Sequence, residues 1–199
     1  MNAIFYDEVN HRHTVEGHSV LSVTQYLQLE GCVDIEWCTE EGRARGQAVH
    51  AVMGYFAKNG PNDLPLHPII QPYVAAGKLF LAETGFVPRL VEHIVYDPIY
   101  GVIGKLDLTG TWNLSDGLIL IDWKTGDIEP YVALQTAAYA ACLPEPHRRF
   151  ALQLKADGTY RLSKEYTDRN DIKVFRSKVV SVNWNIKHGL LVPDEALAA

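Results

Sequence analysis

Two acidic positions and a lysine carry the chemistry in this chain of 199 residues: Asp107, ending Gly104-Lys105-Leu106-Asp107, and Asp122 and Lys124 in Ile121-Asp122-Trp123-Lys124. Carboxylates are hard oxygen donors suited to Mg²⁺ or Mn²⁺, and Mg²⁺ takes only one or two of them while keeping several waters. A lysine beside such a site adds fixed positive charge aimed at a developing anion. The residue types point to metal-assisted phosphodiester cleavage. An Asp-x-Lys at a strand end is also the ordinary pattern of a solvated edge, so the surrounding elements must decide.

Asp116-Gly117 is a turn signal, and Gly117 to Lys124 is a short run rich in β-formers. Alternation sends Asp122 and Lys124 to one face and Trp123 to the other. The Leu-Ile-Leu-Ile before Asp122 has the look of a buried strand, where a charge is costly unless paired or metal-bound. Gly101 to Trp112 reads as the preceding strand, with Ile103, Lys105 and Asp107 on a common face. A hairpin through Asn113 to Gly117 then brings Asp107 beside Asp122, and Leu90 to Tyr96 is a further β-rich run carrying Glu92.

A helix is expected from about Glu40 to Phe56, with Gly46, His50 and Gly54 sharing one stripe. Small residues flanking a histidine let another backbone or a metal approach, although a lone helical histidine is more often structural than a ligand. Pro130 to Leu143 reads as another helix, stacking Gln135 on Tyr139 four residues on, as an ordinary amphipathic helix also does. A third helix runs to about Glu83 after a Pro-rich connection, Gly60 to Pro72. Phe150 to Leu154, turning at Ala156-Asp157-Gly158 into Tyr160 to Tyr166, reads as a second hairpin. A last helix, N-capped by Thr167 or Asp168, places Ile172, Phe175, Val179, Val182 and Ile186 on a core-facing stripe ending near Gly189. The class is α/β, a mixed β-sheet flanked by α-helices.

In chain order these residues are Arg45-Gly46-Gln47-Ala48-Val49-His50, Glu92, Gly104-Lys105-Leu106-Asp107, Ile121-Asp122-Trp123-Lys124-Thr125-Gly126 and Gln135-Thr136-Ala137-Ala138-Tyr139. That order resembles the RecB-like branch of the PD-(D/E)XK nuclease superfamily, in particular the small phage-type exonucleases. Gly17 to Leu27 is similar to the segment these proteins place before their histidine helix, so the resemblance spans roughly residues 15 to 180. It implies a restriction-endonuclease-like core. It also implies Asp107 and Asp122 as principal ligands of Mg²⁺ or Mn²⁺, the Trp123 carbonyl as a further ligand, and Lys124 as catalytic lysine. His50 resembles the histidine near the metal, and Glu92 an acidic position of variable role. Gln135 and Tyr139 resemble the helix motif on the DNA side, with Arg45, or Arg43 instead, on a phosphate. The implied reaction is exonucleolytic DNA hydrolysis leaving 5′-phosphates, running 5′→3′ by analogy with phage recombination or repair enzymes. A structure-specific endonuclease or a non-catalytic DNA-binding module are the alternatives. A single-strand annealing protein fits as a partner, and monomer and ring-forming homo-oligomer both stay open.

Composition bounds this reading. With 47% hydrophobic residues the chain can bury one core, so residues 1–199 are expected to form a single domain. No run of eighteen apolar residues marks a membrane span and no basic-then-apolar leader opens the chain, so a cytoplasmic protein is expected. Cys32, Cys38 and Cys142 do not provide the four cysteines of the iron–sulfur relatives, and no cluster is expected. The net charge of −6 is unlike a nucleic-acid binder. The reading therefore requires a local basic groove, built from Arg43 with Arg45, His147-Arg148-Arg149, and Arg161 through Arg176.

Overall fold

In the computed structural model, which describes residues 4–7, 12–33, 39–60, 62, 64–112, 117–193 and 197, a small antiparallel sheet comes first: β1 (Ile4–Asp7), β2 (Arg12–Val15) and β3 (His18–Val20). Helices α1 (Val23–Leu29), α2 (Glu40–Asn59) and α3 (Gln71–Thr84) follow. Next come strands β4 (Val87–Asp97), β5 (Val102–Thr111) and β6 (Leu118–Lys124), then α4 (Tyr131–Ala141), β7 (His147–Leu154), β8 (Tyr160–Leu162) and α5 (Asp171–Lys187). Strands β4 to β8 form a mixed five-stranded sheet in sequence order, antiparallel throughout except for the parallel β6–β7 pair that α4 connects. The expected class, a mixed sheet flanked by helices, is the class observed.

Strand β6 is buried on both faces, which is why it reads as an unbroken apolar run and not as an alternation. On one side, Val49, Met53 and Phe56 of α2 and Val74 and Phe80 of α3 pack with Leu108, Ile119, Ile121 and Trp123. On the other, α1, α4 and α5 bring Val23, Leu27, Ala138, Tyr139, Phe175 and Val179 against Leu106 and Leu120. Leu106 and Leu108 are two residues apart yet belong to opposite cores, so the alternation of β5 breaks at Asp107. Helix α4 lies in the interior and is buried over much of its circumference, not along one amphipathic stripe.

The ladder between β5 and β6 covers only Leu108–Gly110 with Ile119–Ile121. Beyond it the two strands part, and the chain entering α1 takes up part of the β5 edge. Ile103 N–H donates to the Leu21 carbonyl at 3.3 Å, and a reciprocal Ser22–Gln25 capping box fixes the helix start beside it.

Four boundaries differ from expectation. Helix α5 begins at Asp171 with Asn170 as N-cap, because Asp168 instead accepts the Asn170 N–H at 2.8 Å in a turn before the helix. Strand β8 ends at Leu162, where the Ser163 hydroxyl takes the Ala151 N–H at 2.9 Å and interrupts the ladder. Pro130 is the N-cap of α4 and stands outside its first turn. Strand β7, expected from Phe150, starts three residues earlier at His147, and the β1–β3 sheet was not anticipated. Cys38 and the Asn113–Asp116 turn lie outside the described residues, as do Pro61 and Asp63 of the Pro-rich connection. Among the described residues, no helix is long and apolar enough to cross a membrane.

Candidate functional site: a metal centre beside an ion-paired lysine

The stripe of α2 faces β4 and the loop after β6. A Cβ on Gly54 would stand 2.7 Å from Cγ of Glu92, and one on Gly46 would stand 3.5 Å from Oγ1 of Thr125. Gly54 is thus the opening through which Glu92 reaches the helix. Glu92 lies opposite Asp107, between the Val91–Leu108 and His93–Leu106 pairs, and its φ of +49° is left-handed. For a residue with a Cβ that conformation costs roughly 1–2 kcal/mol and is retained where the surroundings dictate it.

Asp107 uses both carboxylate oxygens. Oδ1 lies 3.2 Å from Nδ1 of His50, and Oδ2 accepts the Trp123 backbone N–H at 2.7 Å. The side chain occupies the gap where β5 and β6 have parted and takes the N–H that a ladder carbonyl would otherwise hold. One donor atom each from His50, Glu92 and Asp107 lie within 4.8 Å of one another. Oε1 of Glu92 is buried there with no hydrogen-bond partner. An imidazole nitrogen with carboxylate oxygens, one of them buried and unsatisfied, suits a divalent cation of the Mg²⁺ or Mn²⁺ kind.

Asp122 stands outside that cluster. Its Oδ2 meets Nζ of Lys124 at 2.7 Å, and the same Nζ donates to Oε1 of Gln135 at 3.1 Å. Gln135 in turn donates from Nε2 to the Tyr139 hydroxyl at 3.0 Å, so the i, i+4 pair of α4 is a relay that fixes the lysine. Gly104 makes room for it: a Cβ there would lie 2.5 Å from Cε1 of Tyr139. The Trp123 indole is fully buried, edge-on to His50 at 6.2 Å between ring centres.

Burial favours neutral groups, and the charges oppose it. It pulls the His50 pKa down, but the charge and hydrogen bond of Asp107 outweigh it and raise the pKa to about 9. Asp107 stays below the usual carboxylate range despite its burial, because His50, Lys124 and the Trp123 N–H favour its anion. For Asp122, burial and the Asp107 charge overcome Lys124 and raise the pKa to about 6. Burial also works against the Lys124 ammonium, yet Asp122, Tyr131 and Asp107 hold its pKa above the ordinary lysine value. Glu92 is raised by burial and by Asp107, against the pull of Lys105.

Of the residues expected at a site, the fold gathers His50, Glu92, Asp107, Trp123, Asp122, Lys124, Gln135 and Tyr139. Arg45 instead lies over the Tyr73 ring of α3, its guanidinium carbon 5.3 Å from the ring centre, and Arg43 is exposed. Sequence reasoning passed over Lys105, whose Nζ is 2.6 Å from Oε2 of Glu92. Its place two residues before Asp107 on the same strand face was the available signal.

Three arginines of the expected basic groove are ion-paired. Arg148 pairs with Glu165 at 2.7 Å, Arg149 is buried against Asp171 at 2.7 Å, and Arg176 is 3.5 Å from Asp97. Arg149 joins β7 to α5 and Arg176 joins α5 to the end of β4, each with its charge offset by a carboxylate.

Comparison with solved structures finds LHK-Exo, an alkaline exonuclease from Laribacter hongkongensis. It is 14% identical, with 86% of this chain and 89% of that one covered at a TM-score of 0.49. It also finds LHK-Exo in complex with dAMP, 16% identical over the same shares at a TM-score of 0.48. No protein-family model and no curated protein matches the chain.

Proposed function

We propose that the protein is a divalent-metal-dependent deoxyribonuclease with a restriction-endonuclease-like core, acting as an exonuclease that leaves 5′-phosphates. The observation that carries this reading is the convergence of His50, Glu92 and Asp107 within 4.8 Å, next to a lysine held as an ammonium. When bound, Mg²⁺ or Mn²⁺ polarises a phosphoryl oxygen and lowers the pKa of a coordinated water.

His50, Glu92 and Asp107 hold the cation in this reading, and the family resemblance adds Asp122 and the Trp123 carbonyl as further ligands. Lys124 is held against Asp122 at 2.7 Å, and the carboxylates around it favour its ammonium form. It serves as a fixed positive charge that orients the attacking water and stabilises the phosphorane. Gln135 and Tyr139 prevent its side chain from swinging away. With net charge −6 and the buried Arg149 paired with Asp171, the protein draws DNA chiefly through the cation, the site lysines and exposed groups such as Arg43. Direction 5′→3′, a single-strand annealing partner and a ring-forming assembly accompany this reading through the family resemblance.

The test is digestion of linear, nicked and closed-circular DNA, labelled at either end, with Mg²⁺, with Mn²⁺ and with chelator. Linear DNA is expected to be shortened from an end in a metal-dependent manner. Cleavage of closed circles would make the protein an endonuclease, and no cleavage under any condition would remove the nuclease reading.

A further inference from the structure

Lys105 stands on the opposite flank of the carboxylate cluster from Lys124, and the two lysines differ in setting. Lys124 is 18% exposed behind Asp122, whereas Lys105 is 50% exposed and grips Glu92 through Oε2 at 2.6 Å. The other oxygen of that carboxylate, Oε1, is buried without a hydrogen-bond partner, and Glu92 belongs to the donor cluster with His50 and Asp107. One carboxylate therefore presents one oxygen to the cluster and the other to a fixed ammonium.

Charge balance gives this arrangement meaning. Glu92, Asp107 and Asp122 bring three negative charges, and Lys105 and Lys124 bring two positive ones. A metal-bound histidine is neutral, so before the cation itself is counted the three carboxylates and two lysines sum to one negative charge. One divalent cation turns that into one positive charge, which the single negative charge of a phosphodiester cancels. A second divalent cation would leave two uncompensated positive charges in a half-buried site of low dielectric, where like charges repel strongly. Mg²⁺ and Mn²⁺ also need several oxygens each, and one oxygen of Glu92 is already taken.

We infer that Lys105 occupies the place of a second metal ion, making the centre a one-metal site whose second cation is built into β5. This rests on the proposed reading of His50, Glu92 and Asp107 as the metal centre. Lys105 is half-exposed, so solvent reaches its side chain while its ammonium holds Glu92.

The experiment counts Mn²⁺ bound per full-length chain, by titration calorimetry and by the loss of the free-ion electron spin resonance signal. The wild type is expected to bind one ion, Asp107→Asn none, Lys105→Arg one and Lys105→Met two. Two ions in the wild type would overturn the role of Lys105 and leave the metal centre standing. One ion in Lys105→Met with unchanged affinity would overturn it as well. No bound ion in the wild type would remove the metal centre itself, and this inference with it. The wild-type count decides alone should Lys105→Met fail to fold.

Discussion

Oδ2 of Asp107 accepts the backbone N–H of Trp123 at 2.7 Å, so a catalytic candidate on β5 is tied to the strand that carries Asp122 and Lys124. The register of the ladder ends at Leu108–Ile121, one pair short of these two aspartates, and the side chain continues the connection that the backbone abandons. Asp107 thus has a structural contact through one oxygen and a site contact through the other. The two can be separated by substitution.

Asp107→Asn retains an oxygen for the Trp123 N–H and loses the charge. It is expected to fold, giving up the stability of the His50 pairing, while its activity falls on the order of 10² to 10³-fold, the scale of losing a preorganised electrostatic group. Asp107→Ala strands a buried N–H and is expected to cost about 1–3 kcal/mol more. Thermal melts with DNA degradation assays check both. Equal stability in the two variants would contradict the bridging role.

The relay to Lys124 makes a second prediction. Gly104→Ala would drive a methyl group into the Tyr139 ring, costing about 1–3 kcal/mol as an overpacked core does. It should also lower kcat, since Tyr139 and Gln135 hold Lys124. Lys124→Ala should abolish metal-dependent cleavage while the fold persists, because Asp122 can take up a proton when its partner is gone. Full activity in Lys124→Ala would sink the role assigned to the lysine.

Much of this was readable from local pattern. Period two placed Lys105 and Asp107 on one face of β5, period 3.6 placed Gly46, His50 and Gly54 along one side of α2, and the i, i+4 spacing joined Gln135 to Tyr139. What was not readable depends on distant partners. Nothing in Val91-Glu92-His93 signals a left-handed residue, because Asp107, Lys105 and Gly54 impose it from other elements. The parallel pairing of β7 with β6 is a long-range choice made by packing α4 across both strands. The pairing of Arg148, Arg149 and Arg176 was not readable because their carboxylate partners, Glu165, Asp171 and Asp97, are 17, 22 and 79 positions away.

The stability of the metal-free protein should depend on pH through His50. Its folded pKa of about 9 lies above the ordinary 6.5, so its contribution is complete below pH 6.5 and is lost as pH rises through about 9. Asp122, raised from 3.8 to about 6, acts in the same sense at lower pH. In chelator the melting temperature should fall between pH 6.5 and pH 9. Added Mg²⁺ should raise it more at the alkaline end, where the cation no longer competes with the His50 proton. His50→Gln should flatten this profile. A melting temperature that climbs through the same interval in chelator would refute the His50–Asp107 pairing.

Gly54 and Gly46 share one stripe of α2 but should respond oppositely to alanine. In a helix interior, glycine to alanine stabilises by about 1 kcal/mol when the methyl group has room. At Gly46 the nearest atom outside the helix, Oγ1 of Thr125, is 3.5 Å from the new carbon, an ordinary contact, so Gly46→Ala should be neutral or stabilising. At Gly54 the new carbon would meet Cγ of Glu92 at 2.7 Å, and Glu92 is fixed by its strand and by Lys105. Gly54→Ala should therefore displace the carboxylate and weaken Mn²⁺ binding roughly 10- to 100-fold, the usual effect of disturbing the support of a metal ligand. Glu92→Ala should remove the clash, so Gly54→Ala made in that background should regain the helix-propensity gain and leave metal affinity unchanged. Calorimetric titration of the two single variants and the double variant measures this coupling. If Gly54→Ala binds Mn²⁺ as tightly as the wild type, Glu92 is not a ligand and the centre is held by His50 and Asp107 without it.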